Sequence, residues 1–180
     1  MVADNVTNLG DIFHKGAQTS IALTDCLDWD NPKTYTYSTL ESAANSCALG
    51  LRTRGLKSGD AVAILSANRA EFMIAFMGIL RAGLVAVPIN HKFSNEVIRF
   101  ILNDADVKLA ICDADRANTL DIESSIVSFT ANGEDGFSTL LQPGTPKIFQ
   151  TSEHDIAMIL YTSGSTGRPK GVPLTHSGHL

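Results

Sequence analysis

The sequence predicts an α/β fold in which βαβ units form a largely parallel sheet. Short apolar runs alternate along the chain with longer segments of helical periodicity, a pattern typical of this class. Three such strand and helix units follow one another, and their crossover connections make neighbouring strands run parallel. A hydrophobic content of 44% over 180 residues is sufficient for a buried core.

The predicted strands are short apolar or β-branched runs, at 34–37, 61–65, 84–88, 107–112, 125–129 and 156–161. Two of the helices between them begin at a capping-box spacing, in which a small polar residue precedes a glutamate by three positions: Ser38 with Glu41, and Asn68 with Glu71. Gly55 and Gly83 are placed to end these two helices. A third helix is predicted over 94–103.

Four large apolar side chains of the second helix lie at helical core spacing: Phe72, Met73, Phe76 and Met77. A pocket for an acyl chain is the functional alternative for this cluster. Core packing is the prediction, because a helix in an α/β fold needs such a stripe to cover the sheet.

Composition and charge exclude several classes of function. With a net charge of −5 and a pI near 5.4, the chain has no broad basic surface for nucleic acid or anionic membranes. The longest apolar stretch, 72–80, is too short to span a bilayer, and residues 1–13 lack the pattern of a secretory signal. A soluble cytoplasmic protein is therefore expected.

The cysteines and the loop-rich region give two further expectations. Cys26, Cys47 and Cys112 form no CxxC pair, so reduced and mostly buried thiols are predicted. Glycine and proline become frequent between 130 and 152, which indicates a boundary. Residues 1–150 are predicted to form an N-terminal α/β subdomain, and 151–180 to begin the next one with a strand and a loop.

The predicted strand at 156–161 is followed by a turn of small and hydroxylated residues that is suited to polyphosphate. Glycine lets backbone N–H groups approach phosphate oxygens, hydroxyl groups add donors, and lysine supplies positive charge. The predicted phosphate-binding residues are Thr162, Ser163, Gly164, Ser165, Thr166, Gly167 and Lys170.

Other glycine-rich phosphate loops do not fit this run. In a Walker A motif counted from Gly164, the second glycine falls on Pro169, and Lys170 is followed by glycine in place of serine or threonine. The GxGxxG spacing of kinase loops and dinucleotide-binding folds begins at neither Gly164 nor Gly167. A flexible surface loop of turn-forming residues is the remaining alternative.

The run at 161–172, YTSGSTGRPKGV, resembles the phosphate-binding signature of the adenylate-forming, or AMP-binding, enzyme superfamily. The stretch 34–90 is similar to the first half of such enzymes, and within it LRAGLVAVPIN resembles their second core motif. Within the superfamily, the type it resembles is the acyl-CoA synthetase. The resemblance implies that the chain is part of the large N-terminal domain of such an enzyme.

The resemblance also implies a reaction in two steps. A carboxylic acid attacks the α-phosphorus of ATP and releases pyrophosphate, and the thiol of coenzyme A then attacks the acyl-AMP to form a thioester. Residues 162–170 would close over the β- and γ-phosphates, where Lys170 would neutralise growing negative charge. Mg²⁺ is expected with the nucleotide, although no carboxylate cluster in the chain has the spacing of a metal site. His176 resembles a residue with which the next helix begins in this family. The resemblance implies a supporting role in polar packing for His176, and not a role in acid–base catalysis.

Several family elements cannot be found in the 180 residues: the adenine and acyl pockets, the ribose-binding aspartate, the hinge and the C-terminal domain with its adenylation lysine. The chain alone is therefore expected to be inactive and to hold no catalytic residue. The acid substrate is left open. So are three alternatives: an adenylation domain that loads a carrier-protein thiol, a non-catalytic nucleotide-binding module, and an assembly protein with a vestigial loop.

Overall fold

The computed structural model describes residues 7–12, 18–120, 125–130, 133–144, 149, 151–162 and 168–178. The strands are β1 (Ile21–Asp25), β2 (Lys33–Thr36), β3 (Ala61–Leu65), β4 (Val85–Pro88), β5 (Val107–Cys112), β6 (Ser125–Ser128), β7 (Ile156–Thr162) and β8 (Lys170–Thr175). The α-helices are α1 (Tyr37–Thr53), α2 (Ala70–Arg81), α3 (Asn95–Asp104) and α4 (Ala114–Ala117). Short 3₁₀ helices lie at Leu9–Asp11 and Phe137–Leu140.

Six of these strands form one sheet in the order β6-β5-β3-β4-β7-β8. Strands β3 to β7 pair in parallel with their neighbours, and β8 runs antiparallel to β7. The predicted α/β class with a largely parallel sheet is thereby confirmed. Strands β1 and β2 form a separate antiparallel hairpin.

The core lies on both faces of this sheet, with β3 at its centre. Val62 and Ile64 of β3 pack with the buried side chains of α1 and α2 on one face. Ala63 and Leu65 pack with those of α3 on the other. All five residues of β3 are buried, as expected of a central parallel strand.

The apolar stripe of α2 packs against the first of these core faces. Met77 is buried, and Phe72, Met73 and Phe76 are partly buried against the same cluster, which confirms the core-packing prediction. Phe72 and Met73 also line a surface cavity of about 680 Å³ beside the β1–β2 hairpin, together with the exposed Trp29. The stripe is therefore core on one side and cavity wall on the other.

The structure corrects both predicted helix starts. Helix α1 begins at Tyr37, and its cap is Thr36, whose Oγ1 accepts a hydrogen bond from the Thr39 N–H at 3.2 Å. Thr36 has the extended backbone that a cap requires, so the helix begins before the predicted Ser38.

The start of α2 depends on a side chain distant in sequence. Asp25 of β1 accepts a hydrogen bond from the Ala70 N–H at 2.9 Å, and Glu71 pairs with Arg69 instead of closing a capping box with Asn68. Burial alone would raise the pKa of Asp25, but the N–H groups of Ala70 and Leu27 outweigh it and lower this pKa. The capping carboxylate is thus held ionised beside the positive end of the helix dipole.

Two strands lie outside the predicted set. Strand β1 lacks a regular alternation of apolar and polar residues. Strand β8 occupies part of the run at 161–172 interpreted as a phosphate-binding loop. Because β7 pairs with β4 at Ala86 and Met158, and β8 pairs with β7, these two strands continue the same sheet. The boundary at residue 150 stays a prediction.

The cysteines are free thiols, as predicted: Cys47 and Cys112 are buried, and Cys26 is partly buried. Burial raises the pKa of both Cys47 and Cys112 to about 12, so these thiols stay protonated near neutral pH. Among the described residues, no helix is long and apolar enough to cross a membrane.

Replacing Gly50 of α1 tests the packing of this helix against the 3₁₀ helix at Phe137–Leu140. A Cβ at Gly50 would overlap with the Leu140 carbonyl oxygen. We expect Gly50→Ala to lower the free energy of unfolding by about 1–3 kcal/mol, although alanine favours helix by about 1 kcal/mol, because the neighbouring backbone must move. Urea unfolding measures this change. Ser42→Ala, at an exposed position of α1, is the control, and a Gly50→Ala variant as stable as the wild type would contradict the close contact.

Candidate phosphate-binding site

The predicted phosphate-binding run lies between the last strands of the sheet. Thr162 is the final residue of β7, Lys170 is the first residue of β8, and the two are paired across the hairpin. Both are exposed. Ser163, Gly164, Ser165, Thr166 and Gly167 lie outside the described residues. The structure thus brings together the two ends of the predicted loop and places Lys170 in a strand.

The position of this hairpin agrees with a general property of open α/β sheets, in which ligands bind beyond the carboxyl ends of parallel strands. Because β3, β4 and β7 are parallel, their carboxyl ends share one edge of the sheet. At that edge a cavity of about 400 Å³ lies beyond β3 and β4, and its polar lining consists of Ser66, Asn68, Asn90, His91 and Lys92. The predicted loop leaves β7 at this same edge.

An ionic network orders the segment between β3 and α2. Arg69 pairs with Glu71 and with Asp113, each at 3.0 Å, and its guanidinium lies 4.9 Å from the centre of the Phe129 ring. Burial lowers the pKa of Arg69, but the two carboxylates outweigh burial and raise it overall. Asp113 also accepts a hydrogen bond from the Ala67 N–H at 3.0 Å. Arg69 is therefore already neutralised by its neighbours.

Lys170 is in a different electrostatic position. Within the described part of the chain, no carboxylate forms an ion pair with it. An exposed ammonium group at the end of a hairpin is accessible to an anion from solution. The geometry therefore favours Lys170 over Arg69 as the group that contacts phosphate. Among the described residues, no three His, Cys, Asp or Glu side chains form a cluster that can hold a metal ion.

His176 lies at the other end of β8 and is 1% exposed. Its Nδ1 accepts a hydrogen bond from the Leu9 N–H at 3.0 Å, and its own backbone N–H donates to the Asp155 carbonyl oxygen at 3.1 Å. Burial lowers the pKa of His176, although the nearby Asp155 carboxylate opposes the shift. The residue thus acts in packing, as predicted, and holds the N-terminal 3₁₀ helix to β8. The helix predicted after it extends outside the described residues.

Three residues near the hairpin were not singled out from the sequence. Tyr161, the residue before Thr162, donates a hydrogen bond to Asp104 of α3 at 2.6 Å. Gly171, which follows Lys170, faces the ring of Tyr161. The tyrosine and glycine belong to the predicted run, but Asp104 is 57 residues away from Tyr161, and no local pattern indicates that contact.

Known proteins resemble this chain in sequence. A model of the family described as AMP-binding enzyme matches residues 14–180. The chain is 32% identical over 177 residues to the long-chain-fatty-acid–CoA ligase FadD13 of Mycobacterium tuberculosis, in a match that covers 94% of this chain and 35% of that protein. It is 37% identical over 148 residues to a plipastatin synthase of Bacillus subtilis, in a match that covers 81% of this chain and 4% of that protein.

The fold of this chain is also similar to that of a solved structure. The crystal structure of the anthranilate CoA ligase AuaEII in complex with anthranoyl-AMP superposes with a TM-score of 0.82 at 27% identity. The superposition covers 94% of this chain and 35% of that one. The chain thus spans about a third of the length of the ligases it matches, and a much smaller part of the synthase.

Replacing His176 tests its buried neutral state. Because the folded pKa of His176 lies below its ordinary value of 6.5, the unfolded chain binds more protons there. The contribution to stability is full above about pH 6.5 and is lost as pH falls below it. We expect the free energy of unfolding of His176→Asn, which keeps an acceptor for the Leu9 N–H but does not titrate, to fall less steeply between pH 7 and pH 5 than that of the wild type. Identical slopes in urea titrations would show that His176 is not buried neutral.

Proposed function

Because the chain belongs to the family of AMP-binding enzymes, we propose that it is the N-terminal part of an ATP-dependent acid–thiol ligase of the acyl-CoA synthetase type. The longer protein that this proposal implies is called the parent enzyme below. In its reaction a carboxylic acid and ATP give acyl-AMP and pyrophosphate. The thiol of coenzyme A then attacks the acyl carbonyl, so that a thioester forms and AMP is released. A cytoplasmic site of action belongs to the same proposal, since ATP and coenzyme A are supplied there.

The observation that carries this proposal is the pairing of Thr162 with Lys170 at the carboxyl edge of the sheet. The pairing brings together a hydroxyl donor, Thr162, and a cation, Lys170, on either side of the segment 163–169. Among the described residues, Lys170 has no ion-pair partner. Ser163, Gly164, Ser165, Thr166 and Gly167 are proposed to add backbone N–H and hydroxyl donors around the β- and γ-phosphates.

The chemical role proposed for this hairpin is to hold and neutralise the leaving pyrophosphate. A carboxylate is a poor electrophile, so the acid must be joined to a good leaving group before a thiol can attack it. Positioning and charge neutralisation dominate such phosphorus chemistry, and the lysine ammonium supplies both. Mg²⁺ is proposed to arrive with the nucleotide, since ATP binds it through phosphate oxygens.

Coenzyme A is favoured as the acceptor because similarity to the fatty-acid–CoA ligase FadD13 extends over 94% of the chain, compared with 81% for the plipastatin synthase. The structural similarity to an anthranilate CoA ligase supports the same choice. Loading of a carrier-protein thiol is the alternative, since the identity to the plipastatin synthase is 37%.

Replacing Lys170 in the parent enzyme tests the role of the hairpin. We expect Lys170→Ala to lower kcat/KM for ATP by about ten- to a hundredfold, because a hydrogen bond to a charged group contributes about 1.5–3 kcal/mol. Steady-state pyrophosphate release measures this value. Lys108→Ala is the matched control. It removes an exposed lysine of β5 that is paired with Asp106, and it is expected to leave kcat/KM for ATP unchanged. An equal kcat/KM for ATP in the two variants would contradict the proposed function of the hairpin.

Exchange of pyrophosphate into ATP tests the division between this chain and the parent enzyme. We expect acid-dependent exchange from the parent enzyme and none from the 180-residue chain, because the chain is proposed to supply one phosphate-binding element and the rest of the parent enzyme the acyl pocket. Exchange by the purified 180-residue chain would contradict this division. Calorimetry that shows tight, acid-independent ATP binding by the chain would instead favour the nucleotide-binding module.

A further inference from the structure

The last two residues of β7, Tyr161 and Thr162, extend beyond the end of β4, its neighbour in the parallel sheet. Among the described residues, the registered pairing between β4 and β7 consists of Ala86 with Met158. From Ile159 to Thr162, β7 has registered pairs with β8 alone. A two-stranded ribbon is marginally stable by itself, so this ribbon needs another contact to hold a defined orientation.

Tyr161 supplies such a contact near the tip of the ribbon. Its hydroxyl donates a hydrogen bond to Asp104 Oδ2 at 2.6 Å, a distance typical of a hydroxyl that donates to a carboxylate. Burial raises the pKa of Tyr161, and the hydrogen bond and charge of Asp104 raise it further. The hydroxyl therefore stays protonated and remains a donor at neutral and moderately alkaline pH.

The acceptor belongs to a rigid element. Asp104 is the last residue of α3, and α3 is fixed to the sheet by the fully buried side chains of Ile98 and Ile101. The ring of Tyr161 packs against this same core face. A ribbon tied to α3 is consequently tied to the centre of the sheet.

Gly171 makes room for this arrangement on the opposite strand. It pairs directly with Tyr161, and a Cβ there would lie 3.0 Å from Cζ and 3.1 Å from the hydroxyl oxygen. Such contacts are closer than side chains ordinarily allow, so a larger residue would displace the ring. Tyr161 and Gly171 are the immediate neighbours of Thr162 and Lys170, and the anchored pair thus lies one residue from both ends of the proposed loop.

We propose that Tyr161 and Asp104 are positioning residues for the phosphate-binding hairpin. Their hydrogen bond sets the orientation of the ribbon relative to α3, and therefore where Lys170 stands at the edge of the sheet. This inference rests on the proposed function, since it assigns the contact a role in binding ATP. The predicted consequence is a selective loss of ATP affinity when the hydrogen bond is removed.

The test compares Tyr161→Phe, Asp104→Ala and the double variant in the parent enzyme. Each single variant is expected to raise KM for ATP by about three- to tenfold, as for the loss of one partly exposed hydrogen bond, with KM for the acid unchanged. The double variant is expected to resemble the single ones, because both remove one interaction. Asp104→Asn keeps an oxygen acceptor, so its KM for ATP is expected to lie between that of the wild type and that of Asp104→Ala. Additive effects, or equal changes in both KM values, would overturn the pairing.

Asp106→Asn is the matched control. It removes an exposed carboxylate two residues from Asp104, and asparagine tolerates the positive φ of 49° found there. Wild-type KM for ATP is expected from this variant. If it raised KM as much as Asp104→Ala, a general charge effect would replace the specific contact.

Amide hydrogen exchange in the 180-residue chain gives a second readout. Tyr161→Phe is expected to speed exchange in residues 159–162 and 170–174 and to leave β3 and β5 unchanged. Uniformly faster exchange would indicate a general loss of stability and would overturn the inference. The Lys170→Ala variant separates the two proposals. If that variant is impaired and Tyr161→Phe is not, the positioning role alone fails, and if Lys170→Ala is active, the proposed function fails as well.

Discussion

Every residue of β3, from Ala61 to Leu65, is buried, and the strand pairs with β4 on one side and β5 on the other. A strand in this position must be apolar on both faces, and it needs helices above and below to keep water away from it. Helices α1 and α2 cover one face and α3 covers the other. The connections from β3 and β4 therefore cross to opposite faces, and the carboxyl ends of the parallel strands gather at one edge.

The hairpin that carries the proposed loop depends on this core but is less firmly built into it. Among the described residues, its first strand has one registered pair with β4, and its second strand is at the edge of the sheet. Side chains hold it at both ends. His176 joins the end of β8 to the N-terminal 3₁₀ helix, and Tyr161 joins the end of β7 to α3. An element held in this way can present a loop in a fixed direction while most of its own surface stays exposed.

The pairing of charged side chains also differs between the interior and the edge of the sheet. The partly buried Arg69 is matched by two carboxylates, which compensate the charge where it is shielded from water. Lys170, at the exposed edge, is left without a carboxylate partner among the described residues. In an acidic protein with a net charge of −5, a phosphate site has to be local, and a lysine beside backbone and hydroxyl donors is enough to make one.

The sequence by itself determined the α/β class, most strands of the parallel sheet, the helices between them and the family, because these follow from patterns within a few residues of one another. Tertiary structure decided the rest. Asp25 caps α2 from 45 residues away, Tyr161 meets Asp104 across 57 residues, and Leu9 meets His176 across 167. Periodicity and spacing describe neighbours along the chain. The partner of a capping carboxylate, a tyrosine hydroxyl or a buried imidazole is fixed only when the sheet and its helices have brought distant segments together.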